Sequence, residues 1–243
     1  MDYIADMHTH TIASGHAYNT ITEMAKAASD IGLKMLGITE HAVSMPGTCH
    51  DFYFENLKMV KRELFGVELA LGVELNIISY DGDVDMKQEL LKQMDVAIAS
   101  IHSGIRYEPG DIVKNTNAVL GAMKNPYINI IGHPDDSRIP MDYEQLVLAS
   151  KEYHTLLEIN NNSLTPGGWR VKPYENDKRI LELCMKHDIP IIIGSDAHSF
   201  DKVGCHDYAD KLIKEVNFPK RLIANYNIDL LKTYLNKYRK ECK

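Results

Sequence analysis

Asp6-Met7-His8-Thr9-His10-Thr11 follows directly on the short apolar run Tyr3-Ile4-Ala5. That run reads as a first strand. On extended backbone, side chains two apart point to the same face, so His8 and His10 converge on one point. Neutral imidazole is the commonest metal ligand, and two of them at this spacing seat zinc on an extended segment. An isolated pair also arises by chance on surfaces, so the pair carries little until it is set beside the rest of the chain.

The pattern recurs. His16 follows in Ser14-Gly15-His16, and the apolar run 35–38 closes in Thr39-Glu40-His41. Further runs close in Gly72-Val73-Glu74, Ile101-His102-Ser103, Gly132-His133-Pro134 and Gly194-Ser195-Asp196-Ala197-His198. Each apolar run ends in a metal-competent side chain, which chance does not arrange. The nine donors are His8, His10, His16, His41, Glu74, His102, His133, Asp196 and His198. They exceed the three or four protein ligands one catalytic zinc takes, so more than one metal is expected.

Strand and helix patterns alternate, which implies βα units and a parallel sheet. Thr20 or Thr22 caps a first helix that Gly32 ends. Strand 35–38, helix 51–64, strand 68–78, helix 86–94 and strand 96–101 follow. Asp111 caps a helix to 123, ahead of strand 128–131, helix 142–153 and strand 155–159. Helix 174–187 leads to strand 191–193. From His206 onward the chain reads as helical, with Asn227 or Asp229 capping the last segment. The count is seven strands, each with a candidate ligand or polar residue at its C-terminal end, where parallel barrels place their active sites. No internal repeat or linker interrupts the 243 residues, a length that suits one α/β domain spanning 1–243.

The order of these motifs resembles the PHP (polymerase and histidinol phosphatase) superfamily across essentially the whole chain. The stretch 6–50, with Ser14-Gly15-His16-Ala17 and Met45-Pro46-Gly47, looks most like its YcdX-like trinuclear-zinc phosphatases. The resemblance implies a distorted seven-stranded (βα)7 TIM-like barrel; hydrophobic patterning alone does not separate seven strands from eight. It also divides the donors into three sites. His8, His10 and Asp196 hold one ion, and Glu74 bridges to a second held by His102 and His133. His16, His41 and His198 hold the third. The expected cofactors are three divalent ions per chain, Zn²⁺ first, with Mn²⁺ or Fe²⁺ as alternatives because imidazole suits several of them.

Three divalent ions with Glu74 and Asp196 leave about +4 at the site before water ionises, a charge that favours a phosphate dianion. Hydrolysis by a hydroxide that the metals activate is the chemistry expected there. Glu74, Asp196 and Arg170 are its candidate catalytic residues, and Arg106 and Arg170 its candidate phosphate-binding ones. Glu40 is expected to orient a ligand imidazole or to face solvent. Asn160-Asn161-Asn162-Ser163 lines the pocket or forms an ordinary turn, while Tyr107 and Trp169 are candidates for its mouth. His50 is placed on a loop beside the site. His154 and His187 read as surface groups, Cys205 as incidental, and Ser14 and Ser103 as non-catalytic.

The formal charge of −7 argues against a duplex nucleic-acid partner. Lys232, Lys237, Arg239, Lys240 and Lys243 read as a solvated helix face. No apolar run approaches the roughly 18 residues a membrane helix needs, and the first strand leaves no room for a signal peptide. A cytoplasmic location is expected, with Cys49, Cys184, Cys205 and Cys242 as free thiols. The leading function is hydrolysis of a small phosphomonoester; the resemblance is compatible with a homo-oligomer, and the sequence does not fix the oligomeric state. Histidinol-phosphate phosphatase is the nearest rival, with a phosphodiesterase or nuclease behind it. From a different class, the rival is a metal-binding PHP accessory module without catalysis.

Overall fold

The computed structural model describes residues 3–239. Each apolar run forms a short strand: β1 Ala5–Asp6, β2 Met35–His41, β3 Glu63–Leu64, β4 Val67–Asn76, β5 Ala97–Ser100, β6 Ile130–Ile131, β7 Leu156–Asn160 and β8 Ile191–Gly194. Seven of them run parallel in the order β1-β2-β4-β5-β6-β7-β8, and β3 pairs antiparallel with β4. The helices between them include α1 Ile21–Asp30, α2 Asp51–Asn56, α3 Gln88–Leu91, α4 Ile112–Met123, α5 Tyr143–Glu152 and α6 Pro173–His187. After β8 come α7 Asp207–Glu215 and α8 Ile228–Tyr234. Among the described residues, no helix is long and apolar enough to cross a membrane.

The period of two along β4 explains how the strands serve two layers. Leu69, Leu71, Val73 and Leu75 pack outward against the helices. Ala70 faces the barrel interior, and Gly72, Glu74 and Asn76 continue that face upward. The lower interior is apolar, built from Met35, Ala70, Ile98, Ile130, Leu156 and Ile192. Leu231, Tyr234 and Leu235 close it from below. The upper interior is polar because the inward positions at the strand ends are Glu74, Ser100 and Glu158.

The seam between β1 and β8 completes a nearly closed barrel. Thr9 and Ala197 form an isolated parallel bridge, with the His10 N–H donating to the Ala197 carbonyl at 2.9 Å. Below them, Asn225 Nδ2 donates to the carbonyls of Ala5 (2.9 Å) and Ile193 (2.8 Å). Its Oδ1 accepts from the Ile193 N–H at 2.8 Å. Asp6 Oδ1 accepts from Ser195 N at 3.2 Å, and Oδ2 from Gly204 N at 2.8 Å.

Several element boundaries differ from the expected ones. Helix 51–64 stops at Asn56, and Leu57–Met59 is a single 3₁₀ turn. The hairpin β3–β4 follows, turning at Phe65 (φ 53°) and Gly66 (φ 75°), the left-handed pair a two-residue hairpin needs. Strand 128–131 shrinks to Ile130–Ile131, and helix 86–94 to one turn. The tail beyond His206 is broken by 3₁₀ turns between α7 and α8, which Asn227 caps. Thr20 caps α1 through a capping box with Glu23. Lys232 and Lys237 both face Glu68, and Lys237 reaches it at 2.6 Å, so this face is paired within the fold. Lys240, Cys242 and Lys243 lie outside the described residues.

Candidate metal centre

The inward face of β4 carries Glu74 to the barrel axis, and five imidazoles surround its carboxylate. His41 Nδ1 lies 2.8 Å from Oε2, with His8 Nε2 at 3.4 Å and His10 Nε2 at 3.5 Å. On the other oxygen, His133 Nε2 lies at 2.9 Å and His102 Nε2 at 3.3 Å. Asp196 stands across from Glu74, 3.3 Å from His10, 3.6 Å from His8 and 3.6 Å from His198. His16 completes the ring, its centroid 4.9 Å from those of His41 and His198. The structure therefore brings all nine predicted donors together.

Close packing of so many donors has a local cause. His8 and His10 are fixed by the seam, and His16 by an approach of two loops. At Gly15 (φ 81°) a Cβ would stand 2.1 Å from the Gly47 carbonyl oxygen, so only glycine lets the His16 loop lie there. His133 and Asp196 adopt left-handed backbone, with φ of 31° and 55°. Such conformations cost about 1–3 kcal/mol each and concentrate at functional sites.

A ring of buried hydrogen bonds aims the imidazoles. Glu158 Oε1 lies 2.7 Å from His8 Nδ1, which leaves Nε2 facing the centre. Its Oε2 accepts from His133 N at 2.9 Å and Asn160 Nδ2 at 3.0 Å. Glycine at position 194 makes room, since a Cβ there would meet Glu158 Oε1 at 1.9 Å. Asn76 Oδ1 faces His102 Nδ1 at 2.8 Å and is itself held by Asp85. Glu40 does orient a ligand imidazole, yet not its neighbour His41. It accepts from Ser14 Oγ at 2.5 Å, and that hydroxyl lies 3.2 Å from His10 Nδ1. Partners of this kind fix the tautomer and raise ligand basicity.

The electrostatics suit a cation. Burial works against charge on Glu74 and Asp196, yet the neighbouring imidazoles outweigh it and hold both well below the usual carboxylate range. Burial, with His41 nearby, drives His10 well down; burial and Arg170 bring His133 down to about 4. These imidazoles are thus neutral and carry free lone pairs. His8 Nε2, His10 Nε2, His41 Nδ1 and Glu74 Oε2 are buried without a hydrogen bond. Unsatisfied buried polar atoms are costly, and four aimed at one point are what metal ions would complete. The tightest triads are His8/His10/Glu74, His41/Glu74/His102 and His10/His41/His198, with ligand atoms within 4.8 Å of one another.

Above the donors opens a cavity of about 640 Å³, with Arg138, Trp169 and Arg170 in its wall. Arg170 Nη1 donates to Ser163 Oγ at 2.9 Å and lies 3.9 Å from Asp196 Oδ2. Arg106 is exposed, hydrogen-bonded to Ser44, and lies outside this cavity wall. Arg138 stands in the cavity wall where Arg106 was expected. Tyr107 is buried, its hydroxyl donating to Asn115, so it is a core residue and not part of the mouth. His50 is exposed at the start of α2. His154 stacks on Tyr234, and Cys205 bonds the Asp201 carbonyl. Glu158, Asn76 and Arg138 are the residues the sequence reading missed. The available signal for Glu158 was a charge inside the apolar run 155–159; for Asn76, its place two residues beyond Glu74.

A family model described as the PHP domain matches residues 6–240. A probable phosphatase from Clostridium novyi is 43% identical over 235 residues, covering 97% of this chain and 95% of its own length. Another from Thermoanaerobacter sp. is 42% identical over 243 residues, covering 99% and 98%. Among solved structures, histidinol phosphate phosphatase from Lactococcus lactis, complexed with zinc, L-histidinol and phosphate, superposes with a TM-score of 0.63. It is 19% identical, and the match covers 89% of this chain and 95% of that one, a likeness of fold. With the motifs in register and the family model spanning almost the whole length, the chain belongs to the PHP domain family.

Proposed function

We propose that the chain is a metal-dependent phosphatase that hydrolyses a small phosphomonoester on three divalent ions, zinc first and Mn²⁺ or Fe²⁺ as alternatives. The observation that carries this reading is the buried Glu74 carboxylate with five imidazole nitrogens within 3.5 Å, four ligand atoms being left without a hydrogen bond. His8, His10 and Asp196 would hold one ion; His102 and His133 a second that Glu74 bridges; His16, His41 and His198 the third. Such ions, when bound, supply Lewis acidity and acidify water from about 15.7 towards about 7.

The chain's own residues do the rest. Glu158, Asn76 and Ser14 fix the rings of His8, His102 and His10, so the donors need no rearrangement. Glu158 also adds a negative charge, lowering the site from about +4 to about +3, still attractive to a phosphate dianion. Arg170, beside Asp196 and in the cavity wall, is placed to bond a phosphate oxygen. Arg106 would have to swing from Ser44 to do so. The free thiols of Cys49, Cys184 and Cys205 accord with a cytoplasmic location.

The complete donor set favours an enzyme over a metal-binding module, and the −7 charge disfavours a nuclease. Zinc- or manganese-loaded protein should release phosphate from p-nitrophenyl phosphate. A panel that includes histidinol phosphate then separates the nearest rival. Fully metallated, folded protein that cleaves no phosphoester would establish the module instead.

A further inference from the structure

We propose that Trp169 is a stacking platform for the leaving group, so that the substrate is a monophosphate ester carrying a planar, uncharged ring. This rests on the phosphatase reading above and narrows its substrate class. Trp169 is the only tryptophan in the chain and is 92% exposed, at the outer wall of the cavity whose floor is the buried donor cluster. Large rings are rarely left so open, and covering one is favourable.

The ring is not loose chain dressed in an exposed side chain. Arg138 Nη2 donates to the Trp169 carbonyl at 3.0 Å, and its Nε and Nη2 grip the Asp136 carboxylate at 3.0 and 2.5 Å. Val171 N donates to Asp136 Oδ1 at 3.3 Å, and Ser137 N to the Val171 carbonyl at 2.9 Å. Arg170 is anchored on the other side through Ser163. The segment from Trp169 to Val171 is thus tied to the loop beyond β6, and through Ser163 to the loop beyond β7, which sets the backbone under the ring beside the site before anything binds.

The same bonds speak to the leaving group's charge. Arg138 and Arg170 are the lysine or arginine side chains in this wall, and both face carboxylates already, Asp136 for one, Asp135 and Asp196 for the other. A second anionic group at the mouth would meet the Asp136 carboxylate and no uncommitted guanidinium. Ile101, Ile105 and Met45 add apolar surface to the wall. A phosphate at the floor and an uncharged ring at the mouth match this distribution.

Benzyl phosphate and ethyl phosphate both leave as alkoxides and differ by the ring. In the metal-loaded full chain, Trp169→Ala should lower the benzyl-to-ethyl ratio of kcat/KM by about three- to tenfold, mostly through KM. Trp169→Phe should restore most of the ratio. Independently, benzylphosphonate should change the emission of the single tryptophan, and ethylphosphonate should change it less. An unaltered ratio in the alanine variant together with flat emission overturns the assignment, including the case in which Trp169 serves a protein contact instead. If the metal-loaded wild type hydrolyses neither of these esters nor p-nitrophenyl phosphate, the phosphatase reading fails; the emission titration, which needs no turnover, still decides the role of Trp169.

Discussion

Replacing Glu158 with glutamine removes one charge and no volume, yet the geometry makes the change severe. Oε1 faces His8 Nδ1, while Oε2 accepts from two donors, His133 N and Asn160 Nδ2. A glutamine has one carbonyl oxygen and one amide nitrogen. If its oxygen serves His133 and Asn160, its NH₂ meets His8 Nδ1 and forces the proton onto Nε2, which removes the lone pair aimed at the centre. If the oxygen serves His8, the NH₂ confronts two donors in a buried space, and a lost pairing of that kind costs about 1–3 kcal/mol. Either way, metal affinity or activity should fall by about 10- to 100-fold, the usual effect of losing such a partner. That corresponds to about 1.4–2.7 kcal/mol. The assay is a competitive metal titration with a chromophoric chelator, followed by kcat/KM at saturating metal. Glu158→Gln protein that binds metal and turns over within twofold of wild type would refute the orienting role.

Three shorter predictions follow from the same geometry. Glu74→Gln should abolish turnover with the fold retained, since an amide bridges metals poorly and the apolar core lies below; near-normal rates in metallated variant protein would count against a bridging carboxylate. His16→Ala should remove about one metal per chain and leave the paired ions, as read by elemental analysis, because its ring stacks on those of His41 and His198. Asp177 is buried with neither oxygen hydrogen-bonded, and burial, with Asp135 nearby, raises its carboxyl well above the usual range. It stays protonated in the fold while the unfolded chain ionises above about 3.9, so stability drains as pH rises from there towards the folded value, at about 1.4 kcal/mol per unit. Asp177→Asn should therefore match wild type in Tm near pH 4 and exceed it at pH 7; a gap that does not widen with pH would show that the group ionises in the fold.

How far the sequence carried the account differs from residue to residue. The donors were legible because each closes an apolar run, and strand ends in a parallel barrel converge on one point. Element ends were less legible. The segment 57–64 carries a helical pattern, and nothing local announces Phe65 in left-handed backbone, a conformation that the β3–β4 pairing imposes. Glu158 escaped notice because its partners, His8 and His133, lie 150 and 25 residues away in the chain. Glu40 was noticed for its neighbour His41, while the fold delivers it to His10 through Ser14. His206 is another such case: it reads only as the start of the helical tail, yet it is buried 3.9 Å from Asp6 beneath the seam. Sequence spacing reveals what shares a strand; what meets across the barrel is decided by register.

The claim at the centre of the account is that turnover depends on metal held around Glu74. The direct test is to titrate purified protein with a chelator, counting metal per chain and phosphate released from p-nitrophenyl phosphate in the same samples. The account expects about three ions per chain at the start, activity falling in step with the count, and recovery on adding Zn²⁺ or Mn²⁺. Undiminished phosphate release from protein shown to be free of metal would contradict it.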